Sequence, residues 1–249
     1  MTLETLLADI LTWQGLLALV TVVAAGIVRG FTGFGSALVM VPVMALLWSP
    51  AEAVTTALGL GFVGSFQLVP RALPQARWRD LGPMAGATLL FTPLGTMILI
   101  GVEADLVRKI IAALILAITL VMLRGWQYRG PRGPLPSFAA GATGAVINGV
   151  AAIGGPAAVI YLMSLKEDVA TQRANIVIQV SLMGVIGLSY LTLAGQVAGR
   201  DLLHIAALAV PMLIGTWTGG RLFLHLPAAA FRKIVMWVLV VVSVTILVF

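Results

Sequence analysis

The chain has 249 residues, of which 60% are hydrophobic and only 10% are charged. Roughly a quarter of the residues of a soluble domain are charged, because water must solvate its outside. The composition therefore excludes a soluble enzyme or binding domain and predicts an all-α protein embedded in a lipid bilayer.

The net charge of +6 does not indicate nucleic-acid binding, since the 15 Lys and Arg residues form no continuous patch and stand mostly in the breaks between apolar runs. Such breaks are where membrane proteins carry their basic residues. The chain has no cysteine, which excludes disulfides and thiolate metal sites. His204 and His225 stand at helix ends without metal-like partners, so we expect neither a metal nor a cofactor.

Ten apolar runs follow one another along the chain, and each predicts a helix. They fall at 13–29, 36–48, 52–70, 81–101, 105–123, 137–150, 154–165, 169–193, 202–224 and 230–249. A straight helix needs about 20 residues to cross the hydrocarbon core. The second and seventh runs are too short for that. We expect each of them to form the second limb of a hairpin with the run before it.

Two glycine-rich tips, 30–36 and 149–156, join the limbs of these hairpins and indicate an internal duplication. A shift of 119 residues places Arg29 on Asn148 and Gly30 on Gly149, and the match continues with small gaps. We therefore predict two repeats of one plan, each with a hairpin and three transmembrane helices.

The predicted division is a first repeat at 1–125, a linker at 126–136 and a second repeat at 137–249. The first repeat contains the hairpin 13–48 and the helices 52–70, 81–101 and 105–123, and the second contains the hairpin 137–165 and the helices 169–193, 202–224 and 230–249.

The distribution of Lys and Arg predicts that the two repeats are inverted in the membrane. If each hairpin enters and leaves on one side, one face of the protein holds 11 of these residues and the other holds 3. Parallel repeats would give 7 on each face. Short cytoplasmic loops are rich in Lys and Arg, so loops 71–79, 124–132 and 166–168 are expected in the cytoplasm, with Glu103, Arg200 and both termini outside.

Inverted repeats bring the two tips from opposite faces toward the membrane midplane, where carriers of this plan bind substrate. The second limb of each hairpin starts near Ser36 or Pro156 and directs unpaired N–H groups and a partial positive charge inward. Two such helix starts favour an anion, and glycine lets backbone N–H groups approach it closely. The candidate binding residues of the tips are Thr32, Gly33, Gly35, Ser36, Gly154 and Gly155.

Other glycines have a plainer interpretation, since small residues allow two membrane helices to pack closely. We predict this packing role for Gly26 with Gly30, Gly82 with Gly86, and Gly215 with Gly219.

Arg29 is a basic residue inside an apolar run, next to the first glycine tip. At the bilayer centre it would cost roughly 2.5–3.5 kcal/mol on insertion scales, and no run interior contains an Asp or Glu to offset it. We expect a translocated anion to be its partner; the alternative is that it reaches the interface or binds carbonyl groups at a hairpin end. Asn148, Asn175 and Gln179 complete the candidate site, with ordinary interhelical hydrogen bonds as their alternative role.

The repeated tips, with Val41-Pro42 after the first and Val159-Ile160-Tyr161 after the second, resemble those of the sulfite exporter (TauE/SafE) family. This family is also called the toluene-sulfonate uptake permeases. The likeness covers nearly the whole chain, although Ser36 departs from the usual glycine triplet of the first tip. The resemblance implies a multi-pass protein of a bacterial or archaeal inner membrane that transports sulfite, sulfonates or sulfoacetate.

Several functions stay open at this stage. The first is a secondary carrier of small sulfur oxyanions, and the second is an anion channel or a carrier of another small anion such as a carboxylate. An intramembrane hydrolase using Ser36 and His204 is disfavoured, because Gly155 fills the position equivalent to Ser36 and no third orienting group appears. We therefore expect no enzyme. No run interior holds a carboxylate that could relay protons. This leaves either facilitated exit or cotransport in which protons, the candidate coupling ion, travel on the anion itself.

Overall fold

The fold is that of a computed structural model, which describes residues 12–222. This part of the chain forms helices and connecting turns, without a strand. The helices are α1 Trp13–Thr32, α2 Ser36–Leu47, α3 Pro50–Ala72, α4 Trp78–Gly101, α5 Ala104–Leu123, α6 Pro134–Ala151, α7 Gly155–Leu162, α8 Val169–Leu193 and α9 Gly199–Leu222, with a short 3-10 turn at Leu73–Gln75. The predicted helix 230–249 and His225 lie outside the described residues.

Within the described range, six helices are long and apolar enough to cross a membrane. They are α1, α3 with its following turn, α4, α5, α8 and α9. This confirms the prediction of an all-α protein with several membrane crossings. Large apolar side chains such as Phe66, Leu90 and Met97 are exposed on these helices, as lipid-facing surfaces require.

Helix starts follow the capping residues of the sequence. Ser49 and Glu52 form a reciprocal capping box at the start of α3, and the Asp168 side chain accepts a hydrogen bond from the Thr171 N–H at the start of α8. Each cap satisfies N–H groups that the first turn of a helix leaves unpaired. These caps stand at the polar ends of apolar runs, so they fix where α3 and α8 leave the interface.

The two glycine-tipped pairs form hairpins whose first limbs are long and whose second limbs are short. α1 has 20 residues and α2 has 12, while α6 has 18 and α7 has 8. The first run, predicted to end at residue 29, continues through Thr32, because the glycine of that tip ends the helix only at Gly33. A 20-residue helix is about 30 Å long, so the first tip lies deep in the protein.

Tyr161 joins the two limbs of the second hairpin at the end away from its tip. The Tyr161 hydroxyl donates to the carbonyl of Gly133 at 3.1 Å and accepts from the N–H of the same residue at 3.2 Å. Since Gly133 caps the start of α6 and Tyr161 lies in the last turn of α7, the two limbs enter and leave at the same end.

Small residues make the two most extensive helix–helix interfaces of the described chain, α1 with α9 and α4 with α6. A Cβ on Gly30 would lie 2.0 Å from the Thr216 carbonyl oxygen, and one on Gly219 would lie 2.1 Å from that of Ile27. A Cβ on Gly215 would lie 2.4 Å from the Val23 carbonyl oxygen, and one on Gly26 would lie 2.8 Å from that of Met212. The packing role predicted for these four glycines is confirmed.

The same prediction is not met for Gly82 and Gly86, because a Cβ on either would meet no atom of residues 12–222 within 4 Å. In α4 the close contact is made instead by Gly95, where a Cβ would lie 2.1 Å from the Val146 carbonyl oxygen of α6. Gly149 of α6 faces the same segment, 2.6 Å from the Thr92 carbonyl oxygen on the same measure. Spacing of glycines along one helix does not reveal which face meets a neighbour.

A central cavity between the hairpin tips

A cavity of about 30 Å³ lies between the two hairpin tips. Such a volume holds roughly one or two water molecules. Five of the ten predicted site residues line it, namely Arg29, Gly35, Ser36, Asn148 and Gly155. Residues from both halves of the sequence thus meet in one place, together with small and apolar residues of α3 and α8.

Two helices begin at this cavity without a side-chain cap. α2 starts at Ser36 after Gly35, which has φ +87° and so occupies the left-handed region that glycine tolerates. α7 starts at Gly155 after Gly154. Neither start has a side-chain cap hydrogen bond, so no capping side chain satisfies the N–H groups of Ser36 and Gly155, two residues that line the cavity. Their partial positive charges point at the same small volume.

The guanidinium group of Arg29 reaches the cavity from the last turn of α1. Arg29 is only 3% exposed, and its Nη2 donates to the Ser65 hydroxyl at 2.9 Å. Its Nε has no hydrogen-bond partner within the described part of the chain. None of the described lining residues is an Asp or Glu, so the site carries one full positive charge and two helix starts with no carboxylate opposite them.

Asn148 is the counterpart of Arg29 in the second hairpin, and it supplies an amide in place of a charge. Its Nδ2 donates to the Met183 carbonyl oxygen of α8 at 2.9 Å. The two halves therefore contribute unequally to the cavity: the Arg29 side is cationic and the Asn148 side is neutral.

The chain matches the family model described as sulfite exporter TauE/SafE over residues 17–246. It belongs to this family. No curated protein sequence and no solved structure matched the chain. The resemblance inferred from the glycine tips is thereby confirmed, and with the six apolar spans it establishes a multi-pass membrane protein of a transporter family.

Other predicted residues of this TauE/SafE chain stabilise the first tip without lining its cavity. Thr32 Oγ1 lies 2.8 Å from the Val28 carbonyl oxygen and accepts from the Phe34 N–H at 3.2 Å. Gly33 has φ +86°, and its N–H donates to the Arg29 carbonyl oxygen. These contacts turn the chain sharply after α1, which sets the direction from which α2 begins.

Gly154 also acts through packing. A Cβ there would lie 2.0 Å from the Gly144 carbonyl oxygen of α6, so the second tip folds back on its own first limb. The expectation that Gly154 borders the cavity is not met; Gly155, the next residue, borders it instead.

Asn175 and Gln179 are placed away from the cavity, although both are buried. Asn175 Oδ1 accepts from the Arg77 N–H at 2.8 Å, and Gln179 Nε2 donates to the Thr88 hydroxyl at 3.0 Å. Both contacts join α8 to the α4 segment. Their contacts are therefore the interhelical hydrogen bonds that we named as their alternative role. The four-residue spacing places both side chains on one face of α8, and that face packs against α4.

Ser36 and His204 are not brought together as a dyad. Ser36 begins α2 at the cavity, whereas the ring of His204 stacks on Trp48, with centroids 4.2 Å apart. Trp48 directly follows the opposite end of α2, about 18 Å from its start for a helix of that length. A hydrolase that needs these two side chains in contact has no geometric support.

Sequence reasoning missed the residues of α3 and α8 that accommodate Arg29. A Cβ on Gly64 would lie 3.3 Å from Arg29 Nε, and one on Gly61 would lie 3.7 Å from its Nη1. Ser65 in turn contacts the Ser181 hydroxyl at 2.9 Å. The sequence did carry one indication of this site. Gly61, Gly64 and Ser65 cluster in the third apolar run, where they give α3 a face of small and polar residues among larger apolar ones.

Proposed function

We propose that this TauE/SafE protein is a secondary carrier of small sulfur oxyanions, such as sulfite or organosulfonates, which bind in the central cavity. The observation that carries the proposal is the position of Arg29, buried at the meeting point of two uncapped helix starts. The family supplies the transporter class, and the chemistry of the cavity supplies the charge of the substrate.

A buried guanidinium without a carboxylate partner is costly in a bilayer. Donors that remain unused in such a place lose the hydrogen bonds they would make in water. An oxyanion in the cavity would offset both costs at once, since its oxygens accept from Arg29 and from the N–H groups of Ser36 and Gly155. This supports an anion over a cation or a neutral solute.

Reciprocal packing supports the proposal that the two repeats are inverted. The first limb of each hairpin packs on a long helix of the other repeat, α1 on α9 and α6 on α4. Gly30 meets Thr216 while its counterpart Gly149 meets Thr96, and these two threonines also correspond in the duplicated sequence. A pseudo-two-fold relation between halves is the plan that secondary carriers use for alternating access.

Contacts at the helix ends support the proposed sidedness. Arg77 pairs with Glu167 at 2.8 Å, which joins two loops assigned to the cytoplasm. Arg200 pairs with Glu52 at 3.0 Å, which joins two helix starts assigned to the outside. Neither pair links loops assigned to opposite faces.

The size of the cavity favours a carrier over a channel. An anion with three oxygens is larger than the one or two water molecules that about 30 Å³ can hold, so on this proposal the tips separate to admit it. A site that opens to admit each ion is typical of a carrier, whereas a channel offers a continuous path.

Transport by purified protein in liposomes tests the proposal. We expect saturable sulfite uptake that is accelerated when the vesicles are preloaded with unlabelled sulfite, because exchange through one alternating site is faster than net flow. Flux that fails to saturate, together with discrete currents in a planar bilayer, would show that the protein is a channel and not a carrier. Exchange of acetate with no exchange of sulfite would show that the substrate is a carboxylate.

A further inference from the structure

A second and much larger cavity, about 680 Å³, lies where the ends of α3 and α9 meet the start of α8. Its lining includes Arg71 of α3, Arg173 of α8 and Arg221 of α9. We call it the arginine vestibule. On the proposed sidedness it opens toward the cytoplasm, since it lies beside loops 71–79 and 166–168.

The vestibule concentrates positive charge in a concave surface. Among the described residues that line it there is no Asp or Glu. Two carboxylates directly precede its lining residue Val169, but Glu167 pairs with Arg77 and Asp168 caps α8. Arginine guanidinium groups are well suited to planar and tetrahedral oxyanions, which they bind through several N–H groups. A low-dielectric wall strengthens their combined field.

Aromatic and amide groups add to the lining. The Arg221 guanidinium lies 4.7 Å from the ring centroid of Trp217, a cation–π contact that fixes its position over the cavity. Gln67 and Gln75 also line the wall. Charged, amide and aromatic groups therefore face the same volume.

The vestibule and the central cavity are separated by the first tip. Arg173 lines the vestibule and donates from Nη2 to the Gly30 carbonyl oxygen at 2.9 Å, and Gly30 directly follows Arg29. On α8, Val177 lines the vestibule and Val180 lines the central cavity, which are one turn apart, about 5 Å along the helix.

We propose that the arginine vestibule is a second anion-binding site, which holds a small oxyanion through Arg71, Arg173 and Arg221 before that anion passes the first tip to Arg29. Binding in the vestibule does not depend on the central site. The order of passage rests on the proposed function.

Counting bound sulfite tests the vestibule separately from the central cavity. The wild type, Arg29→Gln and the double variant Arg71→Gln/Arg221→Gln are purified in a neutral detergent and titrated with sulfite under nitrogen by calorimetry. The matched control is Arg129→Gln/Arg132→Gln, which removes the same charge from exposed positions of the linker outside both cavities.

We expect two sites in the wild type and in the control, and one in each of the other variants. The site that remains in Arg29→Gln weakens steeply as ionic strength rises, because exposed charges are screened within a Debye length of roughly 10 Å at 0.1 M salt. In liposomes, Arg71→Gln/Arg221→Gln raises the KM for sulfite on the vestibule side about threefold to tenfold and leaves kcat unchanged. That range corresponds to weak contributions from partly exposed charges.

One bound sulfite in the wild type, with no change in Arg71→Gln/Arg221→Gln, would contradict the proposal of a vestibule site and would leave the proposed central site intact. Two sites that both persist in Arg29→Gln would overturn the central site instead. A further titration distinguishes a free oxyanion from the phosphate of an anionic lipid. It is carried out in phosphatidylcholine vesicles with and without phosphatidylglycerol. Loss of the second sulfite only when phosphatidylglycerol is present would assign the arginines to a lipid phosphate and contradict the proposal.

Discussion

Arg29 and Ser65 are joined by a hydrogen bond of 2.9 Å in the interior of the protein. Ser65 Oγ also lies 2.8 Å from the Gly61 carbonyl oxygen and 2.9 Å from the Ser181 hydroxyl. The guanidinium group of Arg29 on α1 is thus hydrogen-bonded to Ser65 of α3, and Ser65 is hydrogen-bonded to Ser181 of α8. Because α1 and α3 belong to the predicted first repeat and α8 to the second, the position of Arg29 depends on how the halves assemble.

Replacing Ser65 with alanine should weaken sulfite binding without preventing folding. The change leaves Arg29 Nη2 without its acceptor and frees the guanidinium to rotate, so we expect the Kd to rise about threefold to tenfold, in keeping with the net value of one hydrogen bond. Ser189→Ala is the control, since its exposed hydroxyl bonds only within its own helix. Equal affinity in Ser65→Ala and wild type would mean that Ser65 does not position Arg29.

The reciprocal helix interfaces predict a pair of destabilising substitutions in opposite halves. Gly95→Ala and Gly215→Ala should each lower the midpoint of thermal unfolding in detergent, because the added Cβ would lie 2.1 Å from the Val146 carbonyl oxygen and 2.4 Å from that of Val23. Overpacking of this kind typically costs 1–3 kcal/mol. Gly86→Ala, with nothing within 4 Å, should be neutral or slightly stabilising. A loss of stability in Gly86→Ala that matched Gly95→Ala would show that the cost comes from the backbone and not from packing.

The tip glycines predict a separation of binding from stability. Gly155→Ala puts a Cβ at the cavity against Val180 Cγ2, at 3.2 Å, where a side chain can yield. We expect stability near that of wild type and affinity for sulfite lowered about tenfold, as the loss of one charge-assisted hydrogen bond implies. Gly154→Val should instead lose folded protein, because its Cβ would lie 2.0 Å from the Gly144 carbonyl oxygen. Expression yield and sulfite affinity, measured on both variants, distinguish the two outcomes. Equal affinity in Gly155→Ala and wild type would show that Gly155 does not contribute to sulfite binding.

The inverted arrangement predicts which loops share a side of the membrane. The natural chain has no cysteine, so a cysteine placed at Gln75, Gln127 or Gln196 is the only one available for labelling. All three positions are exposed. We expect a membrane-impermeant maleimide to label Gln75→Cys and Gln127→Cys from the cytoplasmic side and Gln196→Cys from the outside. Labelling of Gln75→Cys and Gln196→Cys from one side would exclude inverted repeats.

Most of the helical plan could be read from the sequence, because apolar runs, glycine breaks and capping residues are local signals. The meeting of Arg29, Ser36 and Gly155 was also predictable, since the duplication related the two tips. The surroundings of Arg29 were not, because they depend on which face of α3 turns inward. Asn175 and Gln179 illustrate the same limit: their spacing gave a shared face, and only the packing of α8 on α4 decided what that face touches.

Sulfite-dependent stabilisation of Arg29→Gln against heat tests the anion site most directly. A ligand at 100 times its Kd stabilises the folded state by about 2.7 kcal/mol, which is measurable as a rise in the unfolding midpoint. We predict that Arg29→Gln unfolds at or above the temperature of wild type without anions, since a costly buried charge is gone. At high ionic strength, where the vestibule site is weak, sulfite should raise the midpoint of wild type and of the exposed control Arg129→Gln but not that of Arg29→Gln. A variant that lost stability without anions and was still stabilised by sulfite as strongly as wild type would contradict the assignment and make Arg29 a structural residue.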